Sequence, residues 1–176
     1  MTTLQVGLDA LKTVQAVFPN AILAGGFLRD LLLDRTPKDI DIFVPHTGCF
    51  QPGTLQLVPM MGAAEYMEQT EVSYIWDVPG FELPVQVIML CPGLDPVDRA
   101  KAHDFGICQV WNDGAGLEWT PAFDKDWSNR TFTLDHCEDQ KEFDRSMRRY
   151  ERLQEKFAGF PLVIPPQFES FLPPPL

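Results

Sequence analysis

Ala24-Gly25-Gly26-Phe27-Leu28-Arg29-Asp30 and, with 12 residues between Gly26 and Asp39, Asp39-Ile40-Asp41 decide how this chain folds and what chemistry it can carry. Asp39 to Val44 alternates acidic with β-branched or aromatic residues, the pattern of a strand with one polar face. Side chains at i and i+2 of a strand point the same way, so Asp39 and Asp41 project together while Ile40, Ile42 and Val44 go to the core. Two carboxylates this close repel unless a divalent cation lies between them. An all-oxygen donor pair suits Mg2+ (or Mn2+), which keeps waters and also takes substrate phosphate oxygens. Metals held this way support in-line phosphoryl transfer. Gly25-Gly26 stands directly before a helix; glycine lets the backbone approach a phosphate, and the N–H groups of a helix terminus bind one. Arg29, one turn in, reaches the same anion with a bidentate fork, and Asp30 orients Arg29 or caps the turn. Taken singly the pieces have plainer readings: Gly-Gly as a tight turn, Asp-x-Asp as a solvated strand face. Together, at this spacing, they are far more specific.

Outward from this stretch, Leu4, Leu8, Leu11, Val14 and Phe18 recur at helical spacing behind a capping Thr3, and Pro19-Asn20 stops the helix. Ala21 to Ala24 reads as a short buried strand and Phe27 to Leu33 as a helix. Pro37 biases Thr36 out of the helical region and makes 34–38 a turn. Further on, the pattern predicts a helix over 60–69, a hairpin of 72–77 and 85–90 around Pro79-Gly80, a helix over 95–103 opened by Pro96 and a strand over 105–111. Residues 115–139 are aromatic and turn-rich. Phe143, Met147, Tyr150, Leu153 and Phe157 then form one apolar stripe of a helix over 140–157. The last 16 residues hold six prolines and are expected to run extended. The order of elements predicts an α+β (mixed α/β) fold, with one domain over 1–160 and a Pro-rich tail over 161–176.

Composition limits the functions open to such a fold. Of 176 residues, 45% are hydrophobic and 13 are Phe, enough for a packed core and against global disorder. No apolar run approaches the roughly 20 residues that cross a bilayer, and the N-terminus lacks signal-peptide regions; a soluble cytoplasmic protein is expected. Cys49, Cys91, Cys108 and Cys137 are widely spaced without a CxxC pair, which favours reduced, buried thiols over zinc or a disulfide framework. With 14 basic against 25 acidic residues the formal net charge is -11. Such a field repels long nucleic acid, so a polyanionic substrate needs a local basic patch or a metal to screen its phosphates.

The stretch Ala24 to Val44 resembles the head-domain signature of poly(A) polymerases and CCA-adding enzymes, members of the DNA polymerase β nucleotidyltransferase superfamily. There Gly-Gly-x-x-Arg-Asp is followed after a short spacer by Asp-x-Asp on a strand, and Gly25, Gly26, Arg29, Asp30, Asp39 and Asp41 all match. The resemblance implies a polymerase β-type fold, a mixed sheet flanked by helices. It also implies a nucleoside triphosphate (NTP) such as ATP held by the Gly-Gly turn, and metal on Asp39 and Asp41. Lys38 and Arg130 join Gly25, Gly26 and Arg29 as expected nucleotide contacts. The family pattern is departed from in two places. A strand acid is replaced by Gln86 in Val85-Gln86-Val87-Ile88-Met89-Leu90, and the Arg-Arg-Asp-Phe-Thr element appears as a faded Asn129-Arg130-Thr131-Phe132-Thr133-Leu134. The chain is similar to compact nucleotidyltransferase-like proteins of bacteriophages, which also carry a Val-Gln-x-Ile strand and a segment like His103-Asp104-Phe105; the expected location is then the host cytoplasm.

Other residues keep two readings each. Asp104 is either the third catalytic carboxylate or a helix-to-strand turn residue. Arg145, Arg149, Arg152 and Lys156 lie on one helical stripe, either a solvated face or a ridge contacting an RNA acceptor. Trp111, Trp119, Trp127 and Phe123 are core residues or a base-stacking surface, and Glu169 to Leu172 is a docking segment or a disordered end. The function expected is Mg2+-dependent transfer of a nucleoside monophosphate from an NTP to a hydroxyl on RNA, a small molecule or a protein. The alternative is a nucleotide- or partner-binding protein that keeps the fold without turnover.

Overall fold

The structure is a computed structural model that describes residues 2–60 and 69–174. The chain divides into two compact units, one of residues 1–100 and 110–118, the other of 101–109 and 119–176.

The first unit holds a seven-stranded mixed sheet. In chain order its elements are α1 (Thr3–Gln15), β1 (Ile22–Ala24), α2 (Gly26–Leu32), β2 (Ile40–Val44), β3 (Val58–Pro59), β4 (Val72–Val78), β5 (Val85–Leu90), α3 (Pro96–Lys101), β6 (Val110–Asn112) and β7 (Leu117–Trp119). The sheet order is β3-β4-β5-β2-β1-β6-β7, with β2 parallel to β5 and antiparallel to β1. The α+β fold with a mixed sheet flanked by helices is as expected. So is the hairpin of β4 and β5, antiparallel across the Pro79-Gly80 turn. The helix expected over 60–69 falls largely outside the described residues.

Strand alternation assigns the two faces of this sheet. Ile22, Phe43, Ile88 and Ile75 pair in register across four strands and pack with Trp111 and Ala100. Leu23, Ile40, Ile42, Val44, Val85 and Val87 form the other face, wholly buried, on the side of α1. The α1 stripe differs from the periodicity reading. Its cap is Thr2, and its buried residues are Val6, Gly7, Ala10, Leu11 and Val14, with Leu4 exposed. Gly7 is the reason: a Cβ there would stand 2.4 Å from Phe27 Cε1 and 3.3 Å from Leu23 Cδ2, so a bare backbone lets α1 press onto the ring.

The second unit is organised by aromatic rings and one carboxylate. Its elements are a 3-10 turn (Gly106–Cys108), α4 (Pro121–Asn129), β8 (Phe132–Thr133), α5 (Gln140–Gln154), β9 (Leu162–Val163) and a 3-10 helix (Pro166–Phe171). Phe132 meets Phe105, Phe157 and Tyr150 at ring separations of 5.5, 5.5 and 5.7 Å. The strand expected over 105–111 begins only at Val110. Gly106 instead approaches α4 so closely that a Cβ would lie 2.8 Å from the Ala122 carbonyl oxygen, and the Ile107 N–H donates to Asp126 Oδ2. Helix α4 was not read from sequence, although Thr120 caps it and Pro121 opens it. The Pro-rich segment is not simply extended: β9 pairs parallel with β8, and Phe171 stacks 5.7 Å from Phe143.

Candidate active site

Hydrophobic burial of β2 on both faces fixes where its polar residue emerges. Ile40, Ile42, Phe43 and Val44 are buried, whereas Asp41 is half-buried and Asp39, just before the strand, is exposed. The pairing Leu23↔Ile42 sets Ala24 beside Asp41 and the Gly25-Gly26 turn at the level of Ile40 and Asp39. The glycines and the Asp pair, 12 residues apart in sequence, are therefore set side by side where β1 ends and β2 begins, in the middle of the sheet.

Gly25 is left-handed at φ 75°, ψ -125°, a backbone region essentially reserved for glycine. Its N–H donates to the Val110 carbonyl at 3.0 Å and its own carbonyl accepts from Arg29 N. The Gly25 amide is thus committed to the sheet, and the turn contributes shape. Arg29 and Asp30 are 4% and 3% exposed. Arg29 donates from Nε (2.9 Å) and Nη2 (2.6 Å) to one oxygen, Asp30 Oδ1. A Cβ on Gly26 would lie 3.6 Å from Arg29 Nη2, so the guanidinium rests against the turn. Asp30 orients Arg29, one of its two expected roles. Lys38 is exposed immediately before Asp39.

Asp41, Gln86 and Asp77 stand in register on adjacent strands β2, β5 and β4 and share a face with Phe43, Ile88 and Ile75. Gln86 is thus the direct neighbour of Asp41, and the row contains an acid, Asp77, one strand further out. Among the described residues no group of three or more His, Cys, Asp or Glu side chains is gathered to hold a metal. The donor set is two carboxylates, which fits a hard cation that keeps several waters and completes its shell with phosphate oxygens.

No protein-family model and no curated protein matches the chain. Solved structures do. The Bacillus stearothermophilus CCA-adding enzyme in complex with CTP matches with a TM-score of 0.61 and 17% identity, over 97% of this chain and 43% of that one. This chain has a nucleotidyltransferase fold. A CCA-adding enzyme with ATP matches at TM-score 0.57 and 18% identity, over 96% of this chain and 41% of that one. The Thermotoga maritima CCA-adding enzyme complexed with tRNA gives 0.53 and 18%, over 86% and 36%. The nucleotidyltransferase fold here spans about two fifths of the length of those enzymes.

The remaining candidates, Trp111 excepted, lie in the second unit. Asp104 accepts from Ser146 Oγ at 2.9 Å, from the Phe105 N–H at 2.9 Å and from Arg149 Nη1. Burial by itself would raise this carboxyl, but Arg149, His103, Ser146 and the Phe105 N–H together hold it below the ordinary carboxylate range. Arg149 is therefore occupied within its own unit, and Arg145 pairs with Glu142 at 3.7 Å. Arg130 ends α4 in the left-handed conformation, its guanidinium 5.6 Å above the Trp127 ring. Trp119 and Trp127 are 45% and 43% exposed, whereas Trp111 and Phe123 are buried. None of the four cysteines is in a disulfide, but against expectation only Cys108 is buried, with Cys49 exposed and Cys91 and Cys137 half-buried; among the described residues no helix is long and apolar enough to cross a membrane. The residue that sequence reasoning passed over is Asp126, a fully buried carboxylate at the centre of the second unit.

Proposed function

We propose that this chain is a divalent-metal-dependent nucleotidyltransferase that moves a nucleoside monophosphate from an NTP to a hydroxyl. The observation that supports the reading is the register that sets Gly25 and Gly26, with Arg29 against Gly26, beside Asp39 and Asp41 where β1 ends and β2 begins. Asp39 and Asp41 would hold Mg2+ or Mn2+; such a metal neutralises phosphate charge and activates an attacking oxygen. The chain's own residues do the rest. The left-handed turn at Gly25 lets the triphosphate approach the backbone. Arg29, oriented by Asp30 against Gly26, is the guanidinium that would meet a phosphate oxygen. Lys38 would add an exposed positive charge beside the Asp pair. Asp104 and Arg130 belong to the second unit, where Asp104 fixes Arg149 and Arg130 remains a candidate phosphate or base contact.

The acceptor in this reading is an RNA end, a small molecule or a protein side chain, with the stripe of Arg145, Arg149, Arg152 and Lys156 as the surface that would contact RNA. The resemblance to phage-encoded proteins would make the host cytoplasm its location. The test is incubation with labelled NTPs, Mg2+ or Mn2+ and each class of acceptor. Wild type should transfer label and the Asp39→Asn, Asp41→Asn double variant should not; equal transfer by both sinks the proposal.

Gln86, in register with Asp41, favours a second reading: a protein that binds the nucleotide without turnover, since an amide is a poorer Mg2+ ligand and no base. It requires that Mg·ATP raise the thermal midpoint while no acceptor becomes labelled.

A further inference from the structure

We propose that the first unit carries a second ligand site, for an uncharged, planar, hydrogen-bonding molecule of nucleoside size. The site is a cavity of about 540 Å³ bounded by the last turn of α1, the 51–56 loop and the β4–β5 turn. That volume is within the range of small-molecule pockets.

Its position separates it from the Asp pair. Val78 lines the cavity and pairs in register with Val85 and through it with Ile40, on the face that carries α1. Asp77 and Asp41 precede and follow Val78 and Ile40 by one residue, and strand alternation sends them to the other face. The sheet itself therefore stands between this cavity and the Asp41 row, and the site is not a subsite of the nucleotide pocket.

The lining selects the ligand. The first unit has 14 acidic and 5 basic residues, yet among the described residues none that lines the cavity is charged. A phosphate or carboxylate would find no cation there, and an ammonium no anion. Polar groups come instead from Thr13, Gln51, Thr54 and Gln56. The Thr13 hydroxyl already donates to the Asp9 carbonyl at 2.8 Å, so toward a ligand it accepts. The carbonyl end of α1 is adjacent, through Ala16 and Val17, and carries partial negative charge. Both features call for N–H donors on the ligand, while the glutamine amides serve its donors and acceptors alike. Val17 and Phe81, both half-buried, offer apolar surface to a flat ring over the buried Leu55 and Val78. Gly53 and Gly80 line the same space with left-handed backbones and open room at their Cβ positions.

The experiment is saturation-transfer NMR on the full chain with adenosine, cytidine, guanosine and uridine in turn, and with AMP as the charged control. At least one nucleoside should bind with a dissociation constant of about 1 mM or tighter, and more tightly than its monophosphate. Ala16→Trp, just after α1, and Thr54→Trp, on the 51–56 loop, add bulk at exposed lining positions, and each should weaken that binding at least about tenfold with an unchanged thermal midpoint. Two variants guard against one failing to fold. The Asp39→Asn, Asp41→Asn double variant should bind the nucleoside as wild type does, so loss of transferase activity and loss of this site are read separately. Absence of binding by all four nucleosides overturns the proposal. So does binding that both tryptophan variants leave intact.

Discussion

Replacing Asp126 should unfasten the second unit, and the size of the effect follows from its partners. The side chain is 0% exposed. Oδ2 accepts from the Ile107 and Thr133 N–H groups, each at 2.9 Å. Oδ1 accepts from the Thr131 hydroxyl at 2.7 Å and from the Thr133 hydroxyl. One carboxylate therefore ties α4 to the 3-10 turn and to β8. Asp126→Ala strands all four donors. The hydroxyls can rotate to other acceptors but the two backbone N–H groups cannot, at about 1–3 kcal/mol each. With the small cavity added, the expected loss is about 4 kcal/mol. Asp126→Asn keeps the shape. Its amide oxygen serves the two N–H groups and its NH2 donates to the threonine oxygens, leaving mainly the lost charge assistance, about 1 kcal/mol. Urea unfolding followed by Trp119 and Trp127 fluorescence measures both. An alanine variant within about 1 kcal/mol of wild type, or no gap between Ala and Asn, would refute the account.

Two further outcomes follow from named contacts. Arg149→Met removes the partner that most lowers the Asp104 carboxyl. A carboxyl whose folded pKa lies below its unfolded value near 3.8 gives stability that is full above that value and lost as pH falls through the folded pKa. The variant should therefore unfold at a higher pH on acid titration followed by circular dichroism, and an unshifted midpoint would contradict the pairing. Gly7→Ala should lower stability by about 1–3 kcal/mol through overpacking. Helix propensity alone predicts a gain of about 1 kcal/mol, so a raised thermal midpoint would show that α1 does not press on Phe27.

Most of the first unit could be read directly because its signals are local. The Gly25-Gly26 break, the alternation at 39–44 and the hairpin around Pro79-Gly80 each lie within a few residues, and each reappears as a turn or strand. The second unit was harder for the same physical reason in reverse. Thr120 and Pro121 are a legible helix start, but the aromatic, turn-rich stretch around them hid the periodicity of α4. Gly106 looks like a strand residue until Ala122, 16 positions on, is packed against it.

The sequence by itself determined the mixed α+β fold, the strand that carries Asp41 directly after Asp39, and a glycine turn ahead of Arg29, because backbone sterics and strand periodicity act between neighbours. Only the tertiary structure decided what those groups meet. It set Gln86 beside Asp41, gave the Gly25 amide to Val110, gave Asp104 to an arginine 45 residues away, and made Asp126 the hub of the second unit. Hydrogen-bond partners and charge compensation are properties of the folded neighbourhood, and a carboxylate carries no mark in sequence of which donor will reach it.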